Sequence, residues 1–159
     1  ARIVEEAVEA VDKMRLKEGE FLQSDLSERI RIFGGLVENI EQSASESDDS
    51  LRERLTQRVE ELAPDVGADG AVVAQEVVRF VARSDIHEEL TRLRAHIGHW
   101  GELVEDTAPC GRKLDFLLQE MNREVNTIGS KAMGAEPSKL VVSAKSELEK
   151  LREQVQNVE

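Results

Sequence analysis

The sequence predicts an all-α protein, an antiparallel bundle of long helices with coiled-coil-like seams. Apolar residues recur at spacings of three and four through most of the 159 residues, which is the period of an amphipathic helix. No stretch of useful length alternates between apolar and polar residues as a strand does. With 40% hydrophobic residues, the chain is long enough to build a core and one or two domains.

Residues 1–66 form the first predicted domain, a long helix or helical hairpin that acts as an arm. An unbroken helix over residues 2–43 would span about 60 Å. It cannot bury its apolar stripe alone, so we expect it to lean on a partner chain. The serine and acid cluster at 43–50 predicts a linker, and Ser50 with Glu53 predicts the capped start of a short second helix that ends at Leu62. The stripe comprises Val4, Val8, Val11, Met14, Leu22, Leu26, Ile30, Phe33, Val37 and Ile40.

Residues 67–159 form the second predicted domain, which is also helical. Pro64 to Gly70 should break the chain, and helical periodicity then runs from residue 71 to 106, with a kink or a new start at Asp85. Two further helices should follow, and Gly134 and Pro137 mark the start of the last one. The seam after Asp85 comprises Ile86, Leu90, Leu93, Ile97, Trp100 and Val104.

The segment 111–132 is the most informative part of the chain, because its helical faces differ in chemistry. One face is apolar, one flank carries Asp115 and three amides, and another flank carries Glu120, Glu124 and Lys131. Beside the preceding seam lies a polar stripe, and we expect this stripe to face Glu120 and Glu124. The polar stripe comprises Asp85, Glu89, Arg92, His96 and His99.

Composition restricts the possible functions. The net charge of −12 repels phosphate on average, and four Phe, one Trp and no Tyr leave few rings for an RNA-stacking sheet. The single cysteine, Cys110, excludes an internal disulfide and a cysteine-based zinc site. We expect no transmembrane span and a cytoplasmic location.

Three blocks of the chain resemble the YicC/YloC family of bacterial proteins, which are divalent-metal-dependent endoribonucleases. The blocks are DIHEELTRLRAHI at 85–97, GRKLDFLLQEMNREVNTIGSKA at 111–132 and LREQVQNVE at 151–159. The resemblance implies the C-terminal, helical half of such a protein, preceded in the family by a separate N-terminal domain. It also implies hexameric assemblies that close around RNA. Since the chain begins at Ala1 without methionine, we interpret it as a fragment.

Within the matching blocks, the residue types suit phosphodiester hydrolysis. Carboxylate-held Mg or Mn ions activate water and neutralise charge on phosphate, a histidine with a pKa near neutrality transfers protons, and cations clamp phosphate oxygens. The candidate metal ligands are Glu89, Asp115, Glu120 and Glu124. The candidate catalytic residues are His96, Glu120 and Glu124. The candidate RNA-binding residues are Arg92, Arg112, Lys113, Arg123 and Lys131.

Each of these assignments has a structural alternative. Acids and cations at helical spacing are more often solvated ion-pair networks than metal sites, and His96 would equally link two helices. The leading hypothesis is the C-terminal part of a metal-dependent endoribonuclease. The rival is a non-catalytic helical assembly or adaptor that regulates another ribonuclease, which the acidic composition favours.

Overall fold

The structure is a computed structural model that describes residues 2–62, 75, 85–106 and 108–158. Within these ranges it contains four helices and no strand, so the predicted all-α fold is confirmed. The predicted break at residues 64–70 and most of the predicted helical stretch at 71–84 lie outside the described residues. The helices are α1 (Arg2–Leu62), α2 (His87–Glu105), α3 (Gly111–Lys131) and α4 (Ala135–Val155).

The helices form an up-down-up-down bundle in which each packs against two neighbours. Short connections make α2 antiparallel to α3, and α3 antiparallel to α4. Helix α1 closes the ring against α4 and α2, through ion pairs from Arg29 to Glu147 and from Arg94 to Glu41. The core is almost entirely aliphatic, as the scarcity of aromatic residues requires. Its largest fully buried side chains include Phe33, Ile40, Leu93, Trp100, Met121, Ile128 and Leu148.

Helix α1 is continuous over 61 residues, so the linker predicted at 43–50 and the separate second helix are wrong. The buried stripe passes through this segment at Ala44, and burial there favours the helix. Serine and aspartate cost only about 0.5 kcal/mol each relative to alanine inside a helix. The Ser47 hydroxyl also donates to the carbonyl of Ser43 at 2.8 Å, within the helix. Ser50 therefore lies inside α1 and does not cap a new helix.

We define the first third of α1, residues 2–21, as the arm; its last turns, at Arg15, Glu18 and Gly19, line a cavity of about 650 Å³ at the end of the bundle. Every residue of the arm is exposed, including the apolar residues Val4, Val8, Val11 and Met14. Only the later part of the predicted stripe is covered, with Leu26, Phe33, Val37 and Ile40 buried in the core. The arm therefore presents an unpartnered apolar stripe to solvent.

Local interactions fix the ends of the shorter helices. The Asp85 carboxylate accepts a hydrogen bond from the His87 backbone N–H at 2.9 Å, and α2 begins at His87 with Ile86 at its N-cap. Whether the chain kinks or starts a new helix at Asp85 depends on the preceding residues, which lie outside the described ranges. Between α3 and α4, Gly134 has φ of 111°, a left-handed conformation that favours glycine. A Cβ there would also lie 3.1 Å from the Ser47 hydroxyl of α1. None of the described helices is long and apolar enough to cross a membrane.

Met121 tests whether the core stripe of α3 stabilises the bundle. Its side chain is fully buried, so Met121→Ala should lower the free energy of unfolding by about 2–5 kcal/mol in urea denaturation. Val142→Ala, at an exposed position on α4, should change it by less than about 0.5 kcal/mol. Equal effects of the two substitutions would contradict the packing.

Candidate active site

The facing flanks of α2 and α3 bring two buried carboxylates onto one guanidinium. Arg92 of α2 lies 3.0 Å from Glu89 Oε1 on its own helix and 2.9 Å from Glu124 Oε2 on α3. Both glutamates are buried, whereas Arg92 reaches them from the surface. The expectation that the polar stripe of α2 faces Glu124 is therefore confirmed.

Lys131 completes this group, which we call the carboxylate cluster: Glu89, Arg92, Glu124 and Lys131. The Lys131 ammonium lies 3.0 Å from Glu89 Oε1 and donates a second hydrogen bond to the carbonyl of Asp85 at 3.0 Å. Glu89 is only 3% exposed, and its other oxygen, Oε2, has no hydrogen-bond partner among the described residues. The cluster thus joins the start of α2 to the end of α3.

The cations of the cluster favour the charged form of Glu89. Burial raises the pKa of Glu89, but the hydrogen bond and charge of Lys131 and the charge of Arg92 outweigh it, so the pKa is lowered overall. The hydrogen bond with Glu124 raises the pKa of Arg92 despite desolvation. Arg92 also pairs with the exposed carboxylate of Glu88 at 3.6 Å, so three carboxylates lie around the two cations.

The next turn of the same face carries His96 and Glu120. Because α2 and α3 are antiparallel and Arg92 pairs with Glu124, a step of four residues along α2 and back along α3 places His96 opposite Glu120. Both side chains are half-buried, and neither forms an ion pair with another described residue. In this turn the imidazole of His96 and the carboxylate of Glu120 are therefore without an ion-pair partner among the described residues.

Beyond that turn, α2 and α3 enclose a groove of about 390 Å³. One wall carries imidazoles and the other carries cations and an aromatic ring. Phe116 is 60% exposed there. We refer to this feature as the histidine groove; it is lined by His96, His99, Arg112, Lys113, Phe116 and Leu117.

The predicted metal ligands do not converge. Asp115 lies on the opposite flank of α3, where it accepts a hydrogen bond from Gln119 at 2.8 Å and approaches Arg152 of α4 at 3.7 Å. Glu89 and Glu124 have cations at their oxygens. Among the described residues no group of three His, Cys, Asp or Glu side chains is arranged to hold a metal ion. The donor set does not fit a divalent cation.

The predicted RNA-binding cations divide into two groups. Arg92 and Lys131 pair with the acids of the carboxylate cluster, and their contact with phosphate stays a prediction. Arg112, Lys113 and Arg123 are exposed and form no ion pair with any other side chain in the described ranges. The unpaired cations of α3 are therefore the candidates for anion binding.

Sequence reasoning gave no role to His99, Phe116 or Glu147. The first two line the histidine groove, and an aromatic residue three positions after a lysine on a polar flank was the available signal. Glu147 is buried and bridges α4 to Arg29 of α1 at 3.1 Å. Its pairing depends on a contact across 118 positions, which spacing along the chain does not reveal.

Fold and site together define a helical protein with a cluster of paired acids and cations beside a groove of histidines and free cations. A family model described as "Endoribonuclease YicC-like, C-terminal" matches residues 40–159. The chain belongs to this YicC-like family, as the resemblance of its three blocks indicated.

Two curated relatives carry the same family name. The chain is 43% identical over 157 residues to the "Probable endoribonuclease YicC" of Clostridioides difficile (strain 630), covering 98% of this chain and 54% of that protein. It is 35% identical over 146 residues to the "Probable endoribonuclease YicC" of Haemophilus influenzae (strain ATCC 51907 / DSM 11121 / KW20 / Rd), covering 92% and 50% respectively. The chain spans about half the length of the curated relatives it matches.

Arg92→Met tests the carboxylate cluster, because it keeps the aliphatic stem and leaves two buried carboxylates without this partner. We expect the free energy of unfolding to fall at neutral pH, because Glu89 and Glu124 stay buried with one charged partner fewer. The pKa of Glu89 is lower in the folded protein than its unfolded value of about 4.5. The free energy of unfolding that depends on the charge of Glu89 is therefore fully present above pH 4.5. It is lost as the pH falls through the folded pKa. The loss caused by Arg92→Met should therefore shrink in that acidic range.

Arg94→Met is the matched control on the same helix. Arg94 pairs with Glu41 at an exposed position, so its loss should cost less than about 1 kcal/mol. Urea denaturation across the pH range measures both variants, and equal losses would contradict the importance of the cluster.

Proposed function

We propose that this chain is the C-terminal part of an endoribonuclease, and that the facing flanks of α2 and α3 carry its active face. The observation that carries the proposal is the histidine groove, in which imidazoles and unpaired cations of the family segments lie together. The names of both relatives support RNA as the substrate. A cytoplasmic location is part of the same proposal.

The residues of this face match the needs of phosphodiester cleavage. The attacking hydroxyl must lose a proton, the leaving oxygen must gain one, and the added charge on phosphate must be neutralised. His96 is the proposed proton-transfer group, and Glu120, on the facing flank of α3, is the acid proposed to stabilise its charged form. Arg112 and Lys113 at the groove supply positive charge to phosphate oxygens.

We assign the carboxylate cluster a positioning role in this proposal. Glu124 is buried against Arg92, so it orients the guanidinium and holds α2 against α3. The turn that carries His96 and Glu120 follows directly along the same helices, and its geometry depends on that contact. Glu124 thus acts through Arg92 and not as a group that contacts substrate.

Dependence on Mg or Mn stays a prediction of the family resemblance. Cations occupy the oxygens of Glu89 and Glu124, and Asp115 faces away, so the described residues do not fit a metal site. We therefore derive no step through a metal ion. A chelator assay with the full-length protein tests this prediction separately.

We propose further that the arm pairs with the arm of a second copy. Its apolar residues Val4, Val8, Val11 and Met14 follow helical spacing and are exposed, which suits a coiled-coil contact. Residues 3–12 carry four acids and no cation, whereas residues 13–17 carry three cations and no acid. Antiparallel overlap would bring these opposite charges together.

Cleavage of a structured RNA by the full-length protein tests the nuclease proposal. His96→Asn should lower kcat/KM by roughly 10²- to 10⁴-fold, the range for loss of a general acid or base, and Glu120→Gln should lower it in the same direction. Glu102→Gln is the control, since Glu102 is exposed on α2 and lies outside the active face. Each protein is assayed with Mn, with Mg and with EDTA.

The outcomes separate the alternatives. Cleavage that survives both substitutions would keep the nuclease but move its site. A complete lack of cleavage, together with tight binding to another ribonuclease, would favour the adaptor. Loss of activity in EDTA, restored by Mn or Mg, would support metal dependence.

The arm contact is tested by the molar mass of the full-length protein in solution. Val8→Asp with Val11→Asp should reduce the mass of the assembly, because charges would enter the apolar contact. Leu16→Asp makes the same change at an exposed arm position on the opposite side of the helix, and it should leave the mass unchanged. A mass unaffected by the double substitution would contradict arm pairing.

A further inference from the structure

The histidine groove has a mainly apolar lining, and an exposed aromatic ring lies beside two cationic residues there. Phe116 keeps 60% of its surface exposed, and neither the fold nor proton transfer requires this ring at the surface. Its neighbours in the groove include Arg112 and Lys113. A ligand that combines a planar aromatic group with an anion would contact the ring and both cations at once.

The cations occupy an electrostatically unfavourable place in the free protein. Arg112 and Lys113 lie in the first turn of α3, which contains no acidic residue. Cations there add to the positive end of the helix dipole instead of opposing it. Neither forms an ion pair within the described part of the chain, so a bound anion would relieve this local excess of positive charge.

The exposed ring of Phe116 suits the second part of a nucleotide, its base. Aromatic side chains in grooves that bind single strands stack with bases, and the contact tolerates any base because each has a π face. A base within a duplex is already stacked on its neighbours and does not offer this surface. The volume of about 390 Å³ lies within the range of small-ligand pockets.

We infer that the histidine groove binds one unpaired nucleotide of RNA, with its base stacked on Phe116 and its phosphate held by Arg112 and Lys113. This inference rests on the proposed function and specifies the substrate as RNA with single-stranded character at the cleavage site. The phosphate lies beside His96 and His99, which line the same groove. In this proposal Phe116 binds the base, and His99 lies beside the phosphate in the same substrate site.

The test measures binding and cleavage with separate RNAs and the full-length protein. Binding uses a short single-stranded, ribose-methylated oligonucleotide followed by fluorescence anisotropy, and cleavage uses an unmodified RNA of the same sequence. Phe116→Leu should weaken binding roughly 5- to 100-fold, as expected for the loss of one stacked base. Phe116→Trp should retain binding. Lys113→Gln should reduce the slope of the logarithm of the binding constant against the logarithm of salt concentration by about one, as expected for the loss of one phosphate contact.

Val142→Ala is the control, because Val142 is 67% exposed on α4 and lies outside both the groove and the arm. Its binding constant should equal that of the wild type. Circular dichroism at the assay temperature checks that the variants retain equal helix content.

The outcomes distinguish this inference from the proposed function. If Phe116→Leu binds as the wild type does while RNA is still cleaved, the nucleotide site is wrong and the nuclease stands. If RNA is not cleaved by the wild type but Phe116→Leu still weakens binding, the nucleotide site stands and the nuclease is wrong. A wild-type protein that neither binds nor cleaves RNA would overturn both.

Discussion

The contact of Arg92 with Glu89 and Glu124 is the constraint on which the active face depends. Two carboxylates buried between helices are expensive unless each has a charged partner, and here one guanidinium serves both while Lys131 pairs with Glu89. This requirement selects one register of α2 against α3. The same register sets His96 opposite Glu120 and opens the histidine groove two turns from the cluster.

Local charge, and not net charge, determines where an acidic chain can bind an anion. The net charge of −12 is a poor guide because many acids are paired or lie on the outer faces of the helices. The buried acids Glu89 and Glu124 are paired with Arg92 and Lys131, whereas Arg112, Lys113 and Arg123 have no acidic partner in the described structure. A phosphate approaching the start of α3 therefore meets positive charge at short range, where screening is weakest.

Helical spacing predicted the parts of the structure that depend on near neighbours along the chain. The buried stripe of α3 and the seam of α2 from Ile86 to Trp100 were predicted in this way, as was the polar stripe of α2. The continuity of α1 was missed because the composition of residues 43–50 resembles a linker, whereas the burial of Ala44 depends on the bundle. The roles of Lys131 and Asp115 were also missed, since their partners Glu89 and Arg152 are 42 and 37 positions away (131 − 89 and 152 − 115). Residue type identified these groups as functional candidates, but only tertiary contacts show which of them are already paired.

The most direct test of the central claim is photo-crosslinking of the full-length protein to a non-cleavable single-stranded RNA that contains thiouridine, with mass spectrometry of the attached peptides. Crosslinks are expected in peptides from α2 and α3, centred on the histidine groove and including Phe116. Crosslinks confined to other parts of the protein, with none between residues 85 and 131, would contradict the assignment of the active face.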